Sequence, residues 1–364
     1  MCIKLLILDL FGAVLLGSYQ RLKYGDDMTA RITTPLTRLL GCRHPIISAG
    51  MGGPARSELA AAVSAAGGFG LLGMVRESPA LIVREIAAIR ERTGKPFGVN
   101  LIPFCTNPTL LAEELAACFD AQVPAMCFFW DVYPAVIEQA KKAGCLVLHQ
   151  VGSRDDAILA ESAGADVVIV QGVEAGGHVR GRLPLSVLLP QVVGQVKIPI
   201  VASGGIATGR DLAAALALGA QGVQCGTVFL ASPESFAHDY HKQRIVAAQA
   251  GDTVHTDLFA INWPPHSPVR VLKNSLTAAA GDKLWGYHPD ELPREVIGEE
   301  EGRPVHKFDT NSPLRNMTGD FEKFALFAGE SAAQVDAILP AATIIDVLMA
   351  NAIAAIRGIS TQIS

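Results

Sequence analysis

From His44 onward the chain repeats one pattern: a short apolar, β-branched run, then an alanine-rich stretch with apolar residues at helical spacing. Eight such runs are legible, at Pro45–Ala49, Gly70–Met74, Phe97–Leu101, Ala125–Trp130, Cys145–Val151, Val167–Gln171, Pro199–Ser203 and Gly222–Leu230. They are almost continuously apolar, the pattern of strands covered on both faces in a parallel sheet. Between them Glu58–Ala66, Ala80–Arg92, Pro134–Ala143, Arg154–Ala163 and Asp211–Leu218 read as helices. Several of these close on Ala-Gly or Leu-Gly, where glycine can take the left-handed C-cap. Eight βα repeats close into a (β/α)8 TIM barrel of about 250 residues. Residues 29–232, with C-terminal helices within 321–364 (Ala332–Ile356), approach that size. An open doubly wound sheet is the alternative that the same pattern allows.

Two segments break the repeat. In residues 1–28 the apolar run Ile3–Leu16 carries Asp9 and is too short to span a bilayer. One lysine precedes it, but no A-x-A-like site follows, so it reads as a dispensable extension rather than a secretory signal, with Met28 an alternative start. Residues 233–320 are more polar and include Asn262-Trp263-Pro264-Pro265-His266 and Glu299-Glu300-Glu301. Helix is expected there at Val246–Ala250 and Arg270–Ala279. Leaving strand eight, this insertion emerges at the C-terminal face where barrel active sites lie, so it is expected to roof the site or to decorate the surface beside it.

Composition narrows the chemistry. With 364 residues, 50% hydrophobic and 18% charged, the chain is neither disordered nor a coiled coil. A net charge of −5 with no long basic run gives no electrostatic case for a nucleic acid or an anionic membrane, so a small-molecule ligand is expected. Seven scattered cysteines without a C-x-x-C pair fit neither a disulfide framework nor a zinc site. A reducing cytoplasm and no metal are the expectation.

In a barrel the informative residues lie just past each strand. Ser203-Gly204-Gly205-Ile206-Ala207-Thr208 follows strand seven and opens a helix; Gln224-Cys225-Gly226-Thr227 ends strand eight. Side-chain-free loops beside a helix N-terminus let backbone amides approach a phosphate, and loops seven and eight are where barrels usually hold one. Gly50, Met51, Gly52 and Gly53 follow strand one, where the glycines would let a flat ring lie against the backbone, and Asn100 in strand three offers a donor and acceptors to a polar ring edge. Past strand six, Gln171 leads into Glu174-Ala175-Gly176-Gly177-His178, which puts an imidazole on a glycine stem at the catalytic face. Such a group can abstract a carbon-bound proton or hydrogen-bond a developing anion. His149 is expected in the core or behind the site, Glu174 to cap a loop or helix, and Cys225 to be a packed thiol beside the ligand rather than a nucleophile. Gly68-Phe69-Gly70-Leu71-Leu72-Gly73 matches G-x-G-x-x-G but precedes its strand, the reverse of a dinucleotide fingerprint. No P-loop, G-x-S-x-G or H-E-x-x-H run is present.

Together these motifs resemble the nitronate monooxygenase family, formerly called 2-nitropropane dioxygenases, which are FMN-dependent (β/α)8 barrels. The resemblance spans 33–230 and resumes at 327–348, and Glu174-Ala175-Gly176-Gly177-His178 is its most specific piece. It implies that Asn100, Gln171, Gly176, Gly205 and Gln224, Cys225, Gly226 and Thr227 contact FMN, alongside Gly50, Met51, Gly52 and Gly204 of the glycine loops. His178 would be the catalytic histidine. The implied reaction is oxidation of an alkyl nitronate, or of a nitroalkane, by FMN and dioxygen to a carbonyl compound and nitrite. An NAD(P)H-dependent flavin oxidoreductase, such as a quinone reductase or enoyl-ACP reductase, shares these motifs and is the alternative; a flavin-binding scaffold without turnover is a third class. Assembly as a homodimer is left open.

Overall fold

The computed structural model describes residues 30–362. The extension expected at 1–28 lies outside the described residues. Eight strands run parallel in one sheet: β1 (Ile46–Ser48), β2 (Gly70–Gly73), β3 (Phe97–Leu101), β4 (Ala125–Phe129), β5 (Leu146–Val151), β6 (Val167–Gln171), β8 (Ile200–Ser203) and β9 (Gly222–Cys225), with β7 (Gly177–His178) outside the ring. β1 pairs with β9 on one side. On the other it meets the residue preceding β2: Ile47 bridges Phe69, Ser48 N donates to Phe69 O, and Phe69 N donates to Ile46 O. The ring therefore closes as a TIM barrel rather than remaining an open sheet.

The inward positions divide into two layers. Leu71, Leu148, Val167, Ile169 and Val201 fill the lower barrel, and Leu36 and Leu40 join them from the helix Pro35–Leu40. That helix is held at the strands' N-terminal end by Thr34, which caps it and donates through Oγ1 to Gln221 O. Further up, the inward positions turn polar: Asn100, Gln150, Gln171, Ser203 and Gln224 are all buried. Gln171, Ser203 and Gln224 lie in register across β6, β8 and β9. An apolar plug below a polar floor is what gives this barrel a site at one end only.

Helices cover the outside as the periodicity predicts, including Ser57–Ala65, Pro79–Arg92, Pro134–Lys142, Arg154–Ser162 and Gly209–Ala217. The eighth run is shorter as a strand than expected. It ends at Cys225, and Thr227–Leu230 turns into helix because Gly226 breaks the ladder and Leu230 N reaches back to Gly226 O. At the C-terminus the expected helices resolve into a 3-10 turn, Glu330–Gln334, and one helix, Ala341–Ser360. Ala341–Ser360 is long and apolar enough to cross a membrane. It lays Ala341, Ile344, Ile345, Leu348, Met349 and Ala352 inward, and Gly209 of the neighbouring helix meets it backbone to backbone.

Residues 233–320 differ more from expectation. Of Val246–Ala250 only Val246 is helical; the helix lies upstream, at Asp239–Val246, capped by His238 through Nδ1. Arg270–Ala279 splits into strand β11 (Val269–Leu272) and a helix Ser275–Ala280 started by the Asn274 cap. β11 pairs with β10 (Thr253–Thr256) on one side and with β7 on the other, where His178 opposes Val269. A second small sheet holds β12 (Val296–Glu300), β13 (Arg303–His306) and β14 (Met317–Gly319). The insertion is thus stitched to the two-residue strand that carries His178.

Candidate active site

A cavity of about 280 Å³ opens at the C-terminal ends of the barrel strands. Its floor is the polar layer, its walls are the glycine loops, and its roof comes from the insertion through Trp263, Thr310, Asn311, Ser312, Leu314 and Met317. Of the residues singled out from sequence, Gly50, Met51, Gly52, Asn100, Gln171, Gly176, His178, Gly204, Gly205, Gln224, Gly226 and Thr227 all line it. Cys225 does not. Side chains alternate along β9, so while Gln224 faces the floor, Cys225 points outward into the core, where burial pushes its thiol up to about 12. His149 likewise alternates away from Gln150, is buried, and is pushed down to about 4 by burial. Glu174 accepts from Leu185 N at the start of the helix Leu185–Val192, so it is a cap.

The wall past β8 has a conformation that glycine favours. Gly204 and Gly205 sit at φ 103° and 71°, and the chain then enters Gly209–Ala217 under a Thr208–Asp211 capping box. Among the described residues, the amides of Gly204, Gly205, Gly226 and Thr227 donate to no acceptor. Two loops of free amides near a helix N-terminus are a donor set for an anion. On the floor, Gln224 Nε2 donates to Gln150 Oε1 at 2.5 Å and to Ser203 Oγ at 3.3 Å. Its Oε1 is buried without a partner, an acceptor left for a ligand donor. Asn100 Nδ2 donates to Cys127 O at 3.0 Å.

The glycines past β1 also make room for the protein's own side chains. A Cβ on Gly50 would fall 2.3 Å from Asn100 Cβ, and one on Gly53 would fall 2.9 Å from Leu314. These positions make room for the protein's own Asn100 and roof. At Gly52 the space is open, with the nearest atom 4.0 Å away. Gly176 similarly lets Gly329 approach, at 2.5 Å from its would-be Cβ. Thr227 Oγ1 holds that same Gly329 by its amide at 2.9 Å.

His178 is placed by two partners. Gln171 staples its segment, donating Nε2 to His178 O at 3.0 Å and accepting from Arg180 N at 3.1 Å. Trp263 stacks on its ring, with centroids 3.3 Å apart and planes 18° from parallel, while Trp130 meets it edge-on at 6.2 Å. Its Nε2 is buried and has no hydrogen-bond partner. Burial, then the charge of Arg76, hold the imidazole well below its usual range, so it is neutral near pH 7. Sequence reasoning missed Trp263 and Arg76, which come from a loop-rich insertion and from a turn without any motif.

The nitronate monooxygenase family model matches residues 33–351. The chain belongs to this family. A probable nitronate monooxygenase of Staphylococcus haemolyticus is 36% identical over 318 residues, covering 69% of this chain and 89% of the relative. Among solved structures, FabK from Thermotoga maritima is 33% identical with a TM-score of 0.76, covering 91% of this chain and 100% of FabK. A nitroalkane oxidase from Streptomyces ansochromogenes is 31% identical with a TM-score of 0.73, covering 89% and 99%. As a nitronate monooxygenase family member, the chain is a flavin-dependent oxidoreductase whose cofactor is FMN. The free amide loops and the orphaned Gln224 acceptor fit a ligand with an anionic tail and a polar ring.

Proposed function

We propose that this cavity oxidises alkyl nitronates, with dioxygen as acceptor, to a carbonyl compound and nitrite. The observation that carries the reading is the neutral His178 imidazole, its Nε2 buried and unpartnered, in the wall of a cavity with a strip of free glycine amides. The unpaired amides of Gly204, Gly205, Gly226 and Thr227 would hold the FMN phosphate, and Gln224 and Asn100 would offer hydrogen bonds to its ring. FMN supplies the electron-accepting chemistry. Gln171 and Trp263 hold the imidazole still. Being neutral, His178 donates a hydrogen bond to an anionic substrate, and takes the α-proton where a neutral nitroalkane enters. The aromatic roof of Trp263 and Phe327 excludes bulk water.

Aerobic incubation with propionate 3-nitronate, scored for oxygen uptake and nitrite, tests this. The wild type is expected to form both, and His178→Ala to retain FMN while losing at least about a hundredfold in kcat, the low end for a removed proton-transfer group. Nitrite formed equally fast by His178→Ala would remove the imidazole from the mechanism.

A further inference from the structure

Among the described residues lining the cavity, Arg76 is the one arginine or lysine. It lies in the turn past β2, with its backbone at φ 59°, a left-handed conformation uncommon for a side chain of this length. Its surroundings impose that conformation. Nη1 donates to the Asn262 carbonyl, and the guanidinium carbon lies 5.8 Å from the centroid of the Trp263 ring. Asn262 is itself left-handed, at φ 75°. Two residues with costly backbones, from segments far apart in sequence, thus meet above the ring that stacks on His178. Such strain persists where the surrounding structure over-determines it, and it clusters where ligands are gripped.

The charges around the cavity do not cancel. Two carboxylates line it, and each is matched by its own arginine: Glu77 by Arg56 at 2.8 Å and Glu300 by Arg303 at 3.1 Å. Among the described residues the Arg76 guanidinium makes no ion pair, and its one hydrogen bond is to a neutral carbonyl. The remaining nearby carboxyl, Glu114, is fully buried and pushed up to about 8, hence protonated near pH 7. One positive charge therefore remains at the cavity. A guanidinium carries five N–H donors in a planar fork suited to two oxygens at once, and the Asn262 carbonyl uses one of them. The free amide loops stand past β8 and β9, whereas Arg76 stands past β2 beside the roof.

We propose that Arg76 is the anion-recognition residue of this cavity: its guanidinium takes the two oxygens of a small planar anion, a nitronate or a carboxylate, whose apolar body lies against Trp263 and the neighbouring rings. The assignment of nitronate as the physiological anion rests on the function proposed above; recognition of the charge does not. A residue that only stapled the roof would be indifferent to the charge on a ligand of fixed shape.

The experiment titrates the FMN-loaded protein calorimetrically with butyrate and with butyramide, which share a body and differ in charge. The wild type is expected to bind butyrate at least about tenfold more tightly, as a charge-assisted bidentate contact allows. Arg76→Met should bring the ratio to about one and Arg76→Lys, which keeps the charge without the fork, should fall between. In turnover, Arg76→Met should raise KM for propane-1-nitronate by about tenfold or more with kcat nearly kept, and leave KM for neutral 1-nitropropane unmoved. Retention of the butyrate preference in Arg76→Met overturns the proposal. So does loss of FMN from that variant on purification, which would assign the charge to the cofactor. If the wild type discriminates between the two amphiphiles yet turns over no nitronate, the functional reading fails and the anion site stands.

Discussion

Gln171 shows how much the site depends on single side chains. Its amide satisfies the His178 carbonyl and the Arg180 N–H, so its loss strands two half-buried backbone groups together. Gln171→Leu is expected to cost about 1–3 kcal/mol, since unmet buried polar groups lose their full solvation. It should also lower turnover at least tenfold by loosening the imidazole, while the melting curve stays cooperative. Thermal melting and nitrite assays check both; an unchanged kcat would show that Trp263 alone fixes the ring. At this scale the sequence was partly legible. The E-A-G-G-H run located the imidazole, and Gly204-Gly205 located a turn that needs positive φ. What glycine-rich spacing does not encode is which neighbour fills the missing Cβ, and at Gly50 that neighbour is Asn100.

The elements that position the site depend on close backbone contact. Gly209 opens its helix with a would-be Cβ only 2.4 Å from Ala352 N and Leu348 O of the C-terminal helix. Gly209→Val should push that helix off the barrel. A drop in melting temperature corresponding to about 1–3 kcal/mol is expected, as for overpacked cores, read by differential scanning calorimetry. No change would mean that the contact is not maintained in solution. The barrel strands were legible because each is buried on both faces and reads as an apolar run. The strands of the insertion were not: β10 to β14 are three to five residues long, several with exposed polar positions, and they pair antiparallel as small sheets. One of these sheets also takes in β7 beside β11, two residues whose own pattern carries no strand signal.

For the whole molecule, buried titratable groups set the pH response. His44, His149, His241 and His255 are each pushed down to about 4, chiefly by burial. As pH falls from about 6.5 towards 4 the unfolded chain takes up protons that the fold refuses, so stability is lost over that window. Glu114 has the opposite sign: held up from 4.5 to about 8, it contributes fully below its ordinary value and loses that contribution as pH rises from there to about 8. Melting temperature should therefore peak near pH 6.5, and Glu114→Gln should flatten the limb above that pH and steepen the limb below it. A melting temperature flat between pH 4.5 and 6.5 would contradict the burial of these rings.

The most direct measurement mixes the FMN-loaded protein, without oxygen, with propionate 3-nitronate or with NAD(P)H and follows the visible flavin spectrum. A fast spectral change with the nitronate and little with the nicotinamide is expected; fast bleaching by NAD(P)H and none by the nitronate would overturn the nitronate reading and assign the cavity to a nicotinamide-driven reductase.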